Sequence, residues 1–207
     1  MTIDVFTLFP GWFDWFLEQR HVRNAIAGGL RFEAVDMRAS TPLGAGKVDD
    51  TPYGGGAGMV IRVDVVEAAL AARYGCDAAE VRANRRVVAL AAGGRRFDDA
   101  LADELAAGLA GSGGEGGSGL EAGSGPEGGS GPEGGSGPGP GSGRDLTLLC
   151  GRYEGFDERV HEGLASDVVS IGPYVLSGGE LAAMVVCDAL IRKLPGALGH
   201  AESAVEE

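Results

Sequence analysis

Apolar residues fall along this chain in short blocks of two kinds, and the two kinds alternate. Ile3–Phe9 is a run rich in β-branched and aromatic residues that stops at Pro10, which predicts a buried strand. Pro10 suits the first turn of a helix, and the pattern predicts that helix through about Ala27, before Gly28 and Gly29. Arg31–Met37 alternates polar and apolar positions and predicts a second strand. Met59–Val63 predicts a short strand, with Asp64 as N-cap of a helix over Val65–Tyr74. Arg86–Ala91 reads as a buried strand, followed by a helix capped by Asp98 or Asp99 and running to about Ala110. Asp145–Cys150 predicts a strand, Asp157–Leu164 a helix and Asp167–Ile171 another short strand. In Gly178–Leu194 the apolar residues Leu181, Met184, Val185, Ala189 and Leu190 spread around nearly all sides of a helix, which predicts burial.

This alternation predicts an α/β fold, a mainly parallel sheet with helices on both faces. Open parallel sheets bind ligands beyond the carboxyl ends of their strands. The loops after Cys150 and Ile171 are therefore the first places to look.

Two stretches break the pattern. Arg38–Gly58 is polar and glycine-rich, and long ordered loops are uncommon unless functional. Residues 111–143 hold 17 of the 38 glycines and four of the nine prolines, and contain the repeat GSGPEGGSGPEGGSG. Such a segment buries too little apolar surface to offset its ordering entropy, so it reads as a disordered insertion in one domain over residues 1–200. Loop closure grows only logarithmically with length, so the flanking fold tolerates it. A domain boundary is the rival reading, disfavoured because the remainder of the chain is short for an independent domain.

Charge and cysteine content narrow the class. The chain carries 17 Lys and Arg against 30 Asp and Glu, a formal net charge of -13, which argues electrostatically against a nucleic-acid partner. Its three cysteines, Cys76, Cys150 and Cys187, form no C-x-x-C pair and read as thiols in a reducing compartment. There is no long apolar run and no basic stretch before the first apolar block, so neither a membrane span nor a secretory signal is expected. His21, His161 and His200 are scattered, and no metal site is expected.

Three glycine loops carry the candidate chemistry: Asp49–Met59 (DDTPYGGGAGM), Cys150–Val160 (CGRYEGFDERV) and Ser170–Glu180 (SIGPYVLSGGE). None is a Walker A loop, a G-x-G-x-x-G turn or a G-x-S-x-G elbow. Any one of them could be a tight turn. Three together, two of them after buried strands, point to a site where backbone groups read a planar heterocycle.

In this order, and with the opening IDVFTLFP and the run SIGPYVLSGGELAAM, these loops closely resemble the bacterial tRNA (guanine-N1)-methyltransferase family, of the knotted SPOUT class. The match covers nearly the whole chain except 111–143. The resemblance implies a C-terminal trefoil knot, a cytoplasmic homodimer with the active site at the subunit interface, and methyl transfer from S-adenosyl-L-methionine. The implied acceptor is N1 of the guanosine immediately 3′ of a tRNA anticodon, with neither DNA nor a membrane as partner.

By the same resemblance, Leu90, Gly151, Tyr153, Glu154, Ile171, Gly172, Pro173, Tyr174, Val175, Leu176, Gly178 and Gly179 would border the cofactor. A structural ion pair with Arg152 or Arg159 is the alternative role for Glu154. Asp49, Asp50, Tyr53, Gly54, Gly55 and Gly56 would form the substrate or partner loop. Arg192 would assist catalysis, or else be a helix-end charge favoured by the dipole. The general-base aspartate is expected at or just after Glu207 and is absent from this chain, where position 207 is a glutamate. Residues 201–207 would begin an interdomain linker, with the family's tRNA-gripping C-terminal domain absent from this chain. Ala91-Ala92-Gly93-Gly94 and Pro173 depart from the family pattern. A dimerising, cofactor-binding fragment with weak turnover, and a SPOUT enzyme acting on another RNA, are the alternatives. Trp12, Phe13, Trp15 and Phe16 form an aromatic cluster that would face either a partner subunit or this subunit's own core.

Overall fold

The computed structural model describes residues 1–52, 55, 58–111 and 145–198. The insertion beyond Gly111, the linker segment 201–207, and Tyr53, Gly54 and Gly56 lie outside the described residues.

Seven strands appear in chain order: β1 (Thr2–Thr7), β2 (Arg31–Asp36), β3 (Asp49–Asp50), β4 (Val60–Ile61), β5 (Arg85–Arg96), β6 (Asp145–Cys150) and β7 (Asp167–Ser170). Five of them form one sheet in the order β2-β1-β6-β5-β7, with every pairing parallel. β3 and β4 make a small antiparallel pair. Among the described residues six α-helices accompany them: α1 (Asp14–Leu17), α2 (Arg20–Ala27), α3 (Val63–Tyr74), α4 (Ala78–Asn84), α5 (Asp99–Gly111) and α6 (Glu180–Lys193).

Alternation along the strands sends side chains into two cores. Ile3, Val5, Val88, Leu146 and Leu148 pack with Leu105 of α5 and Leu190 of α6. Phe6, Val87, Ala89 and Leu149 pack with Val66 and Leu70 of α3. Helices thus cover both faces of a parallel sheet, as the block pattern predicts. That is also why its strands read as continuous apolar runs.

Several elements differ from the sequence reading. The helix expected over Pro10–Ala27 is broken into a 3₁₀ turn at Pro10–Phe13, then α1, then α2, because Gln19 is extended (φ -63°, ψ 140°). Its side-chain amide donates to Trp15 O at 2.9 Å, satisfying a carbonyl that the break frees. The break also divides the aromatic cluster. Phe13 and Phe16 are buried, while Trp12 and Trp15 remain 41% and 56% exposed.

Asp64 does not cap α3; it lies in the first turn, where both its oxygens accept from Arg62. Asp98 does cap α5, accepting from Leu101 N–H at 2.9 Å. α4 is not among the expected elements, although Asp77 caps it by accepting from Glu80 N–H, the D-x-x-E signature of a helix start. Of the helix expected at Asp157–Leu164, one wide π-turn at Val160–Leu164 forms. α6 is buried along most of its surface, yet Leu181 and Val185, one turn apart, are 48% and 47% exposed. β5 is twice the expected length and carries an excursion, since Leu90 and Arg95 both pair with Val169. At its end Gly94 lies on the β7 backbone, where a Cβ would sit 2.6 Å from the Val168 carbonyl.

Candidate functional site

The middle of β5, at Leu90–Ala92, and the carboxyl ends of β6 and β7 open into one cleft of about 250 Å³. The loops after β6 and β7 wall it, the second with both its start and its Gly178–Gly179 end, and each of these three walls has a local reason for its shape. After β6, Gly151 lies against the Phe156 ring, and Gly155 N–H donates to Arg152 O at 3.0 Å to close a turn. Within that turn Tyr153 is held at φ 60°, an uncommon conformation for a residue with a Cβ. The turn is fastened to β4 by Glu154 N–H to Met59 O, Ile61 N–H to Gly155 O and Asp157 N–H to Ile61 O, each 2.9 Å. Gly58 lies against the Glu154 side chain at φ 95°, a backbone conformation that favours glycine.

After β7, Ser170 Oγ donates to Gly172 O at 2.9 Å and Tyr174 OH donates to Ile171 O at 3.2 Å. The Tyr174 ring occupies the space a Cβ on Gly172 would need. The third wall is Gly178–Gly179, where Gly179 N–H donates to Gly151 O at 2.8 Å and a Cβ would meet Cys150 Cα at 2.7 Å.

Behind this third wall sits a buried charge. Glu180 is fully buried, accepts from Thr7 Oγ1 at 2.7 Å, and has Arg152 Nε 2.9 Å from its Oε2. The Arg152 guanidinium also lies 4.3 Å from the Phe9 ring centroid and 4.9 Å from that of Trp12. Arg159 pairs with Asp157 at 2.7 Å. With those partners taken, the ion-pair alternative for Glu154 is not met: among the described residues no cation lies within ion-pair distance of it. It is exposed at the cleft rim.

Eleven of the twelve residues expected at the cofactor line this cleft: Leu90, Gly151, Tyr153, Glu154, Ile171, Gly172, Tyr174, Val175, Leu176, Gly178 and Gly179. Pro173 is exposed and does not line it. Arg192 is exposed in the last turn of α6, away from the cleft. Asp49 and Asp50 form β3, also away from it. Asp50 lines a second pocket of about 160 Å³ with Arg62, Asp64, Asp157 and Arg159. Its carboxyl is held below the usual range by the Thr51 N–H and by Lys47.

The sequence reading missed His161 and Phe156, which also line the cleft. Their rings meet edge to face at 6.2 Å, and His161 Nδ1 lies 3.4 Å from Glu158 Oε2. Phe156 stands within the motif CGRYEGFDERV, but nothing in the sequence distinguishes His161 from a surface histidine. At the end of β6, outside the cleft lining, burial pushes the Cys150 thiol far above its usual range, reinforced by Glu180, so it offers no thiolate nucleophile.

A parallel sheet with a glycine-walled cleft at its carboxyl edge defines an α/β protein built to take a small ligand there. The family model described as tRNA (guanine-1)-methyltransferase TrmD matches residues 1–109 and 141–207. The tRNA (guanine-N(1)-)-methyltransferases of Desulfatibacillum aliphaticivorans and Heliobacterium modesticaldum are 40% and 41% identical over 208 residues, all of this chain and 64% of each relative. That of Thermus thermophilus is 40% identical over 212 residues, 100% of this chain and 69% of its own length. The solved tRNA (m1G37) methyltransferase of Aquifex aeolicus is 28% identical, with a TM-score of 0.66 over 97% of this chain and 72% of that one.

The chain belongs to the tRNA (guanine-1)-methyltransferase family. It spans 64% of the length of the first two relatives, a little under two thirds. Among the described residues no helix is long and apolar enough to cross a membrane.

Proposed function

We propose that this chain is the S-adenosyl-L-methionine-binding part of a cytoplasmic enzyme that methylates N1 of the guanosine immediately 3′ of the anticodon in tRNA. One observation carries this reading: Leu90 of β5, Gly151 and Glu154 after β6, and Ile171, Leu176 and Gly179 after β7 converge on one cleft. The walls fit the cofactor. Five of the cleft's lining residues are glycines, which put no side chain between their main-chain groups and a ligand. The exposed Glu154 carboxylate at the rim suits a cationic sulfonium. When bound, S-adenosyl-L-methionine supplies an electrophilic methyl group.

N1 of guanine carries a proton at neutral pH, so the protein must remove it and steady the charge that develops at O6. We assign the second task to Arg192. It stands ten residues along α6 from Ala182, which lines the cleft, about 15 Å at 1.5 Å per residue and beyond the reach of its side chain. The arginine serving a given cleft therefore belongs to a second copy, and the active site lies between two subunits. The half-exposed Trp12, Trp15, Leu181 and Val185 supply apolar surface for that homodimer. Asp49 and Asp50 border the tRNA, and the proton at N1 needs a general base beside the acceptor. The knot of the family joins the β6 and β7 loops around the cofactor.

Two measurements on the same preparation test this. Calorimetry with S-adenosylhomocysteine reads the cleft, and tritiated methyl transfer to tRNA, with and without guanosine 3′ of the anticodon, reads the reaction. Absence of binding overturns the cofactor assignment. Label appearing in ribosomal RNA instead of tRNA overturns the substrate.

A further inference from the structure

Arg152 lines neither the cleft nor a free surface, yet it touches both. Its side chain is 15% exposed and its partner Glu180 is 0% exposed. A carboxylate buried that completely is costly unless paired, and Arg152 is its only cationic partner among the described residues. The guanidinium is therefore pinned at one end by Glu180. At the other it lies over Phe9 and Trp12, which fix the plane of the fork.

What this fixed side chain abuts is the cleft wall. A Cβ on Gly178 would overlap both Arg152 and Glu180. Backbone bonding joins Arg152 to Gly178, and Arg152 Nη1 donates to Ser177 O at 3.4 Å. Gly178 and Gly179 line the cleft, whereas Arg152 and Trp12 do not.

We propose that Arg152 is a positioning residue for the ligand of the cleft: by bridging buried Glu180 to the Phe9 and Trp12 rings, it sets the Gly178–Gly179 wall from outside the cleft. The ligand part of this rests on the S-adenosyl-L-methionine reading above; the positioning part does not. It follows that Trp12, half-exposed and absent from the cleft lining, governs ligand affinity through Arg152. Whatever covers the Trp12 indole tightens the wall, and whatever removes it lets the guanidinium swing.

The experiment uses the full chain and two readouts. The first is amide hydrogen exchange at Gly179, whose N–H bonds Gly151 O, without ligand. The second is calorimetry with S-adenosylhomocysteine. Trp12→Ala is expected to speed Gly179 exchange and weaken binding by about tenfold each, as expected of groups coupled through a shared partner. Exchange in β6 should stay unchanged, and Trp12→Phe should restore both. In an Arg152→Lys background, which keeps the charge on Glu180 but loses the planar stack, Trp12→Ala should add nothing further.

Unchanged Gly179 exchange in Trp12→Ala overturns the proposal, and so does an equal loss in the Arg152→Lys background. If the parent chain binds no S-adenosylhomocysteine, the cofactor reading falls, while the exchange readout still decides the role of Arg152.

Discussion

Asp4 and Arg85 meet at 2.9 Å across the strand that separates them, for Asp4 lies on β1, Arg85 begins β5, and β6 runs between. Thr147 of β6 accepts from Arg85 Nε at 2.9 Å, and Tyr74 OH donates to Asp4 Oδ2 at 2.8 Å. Arg73 closes the group at 2.8 Å from Oδ1. Asp4 is 1% exposed, so removing it takes the buried carboxylate from two guanidinium groups, leaving Arg73 with Glu33 and Arg85 with Asp145. Asp4→Ala is expected to cost about 2–3 kcal/mol in urea unfolding, less than for a buried charge left without any partner. A loss below about 1 kcal/mol would mean that the sheet does not depend on this cross-strand tie.

Glycines at the cleft and glycines in helices should respond oppositely to alanine. At Gly179 a new Cβ meets the Cys150 backbone at 2.7 Å, which no side chain can relieve. Gly179→Ala is expected to destabilise by about 1–3 kcal/mol through overpacking. Gly108, inside α5, has open space for a Cβ, and Gly108→Ala should stabilise by about 1 kcal/mol. Denaturant midpoints of the two variants, if shifted in the same direction, would contradict this account.

Thiol chemistry tests the burial of the sheet edge. Burial pushes the Cys150 and Cys187 thiols well above their usual range, whereas Cys76 is partly exposed and raised by desolvation and by Glu80 and Asp77. At pH 8 the native chain should show one slowly reacting thiol, Cys76, and three after unfolding. Mass mapping that finds native Cys150 modified first would refute the packing of β6 against α6.

Asp157 carries a pH signature. Arg159 donates to both its carboxylate oxygens, at 2.8 and 2.7 Å, and holds its carboxyl below the ordinary value of 3.8. A lowered folded pKa stabilises above the unfolded value, and that stabilisation fades as pH falls through the folded value. The urea midpoint of Asp157→Asn should therefore trail the parent's by a constant gap from pH 7 to about 5, closing below 3.8. A gap of the same size at pH 3 would assign the effect to something other than the ion pair.

The family match skips residues 110–140, which bears on the segment 111–143. Replacing that segment with a Gly/Ser linker about a quarter as long should raise stability by about 1 kcal/mol through cheaper loop closure. The thermal midpoint should then rise by about 3 °C. A fall of several degrees would mean that the segment packs.

The cleft was legible in the sequence because it is built of main chain. Glycines at 151, 172, 178 and 179 mark places where backbone must come close, and that mark survives without knowing the fold. The Arg152–Glu180 pair was not legible, since 28 residues separate its members and either could have paired elsewhere. The division of Trp12 from Phe13 was hidden for a related reason: which aromatic turns inward depends on the break at Gln19. Asp64 reads as a cap because Asp suits that position, and Arg62 outcompetes the backbone for its oxygens. β5 outruns its apolar core because Gly94 lets Arg95 and Arg96 rejoin β7 after the excursion, and four small residues give no sign that pairing resumes.

A cleft walled by peptide groups has a consequence for resistance. A compound that recognises side chains can be evaded by exchanging them, but five residues lining this cleft are glycines. At Gly172, Gly178 and Gly179 the space a larger residue needs is already filled by Tyr174, by Arg152 and Glu180, and by the Cys150 backbone. An inhibitor held by the amides and carbonyls of those loops leaves a mutating population few single steps that remove its contacts and keep the sheet intact.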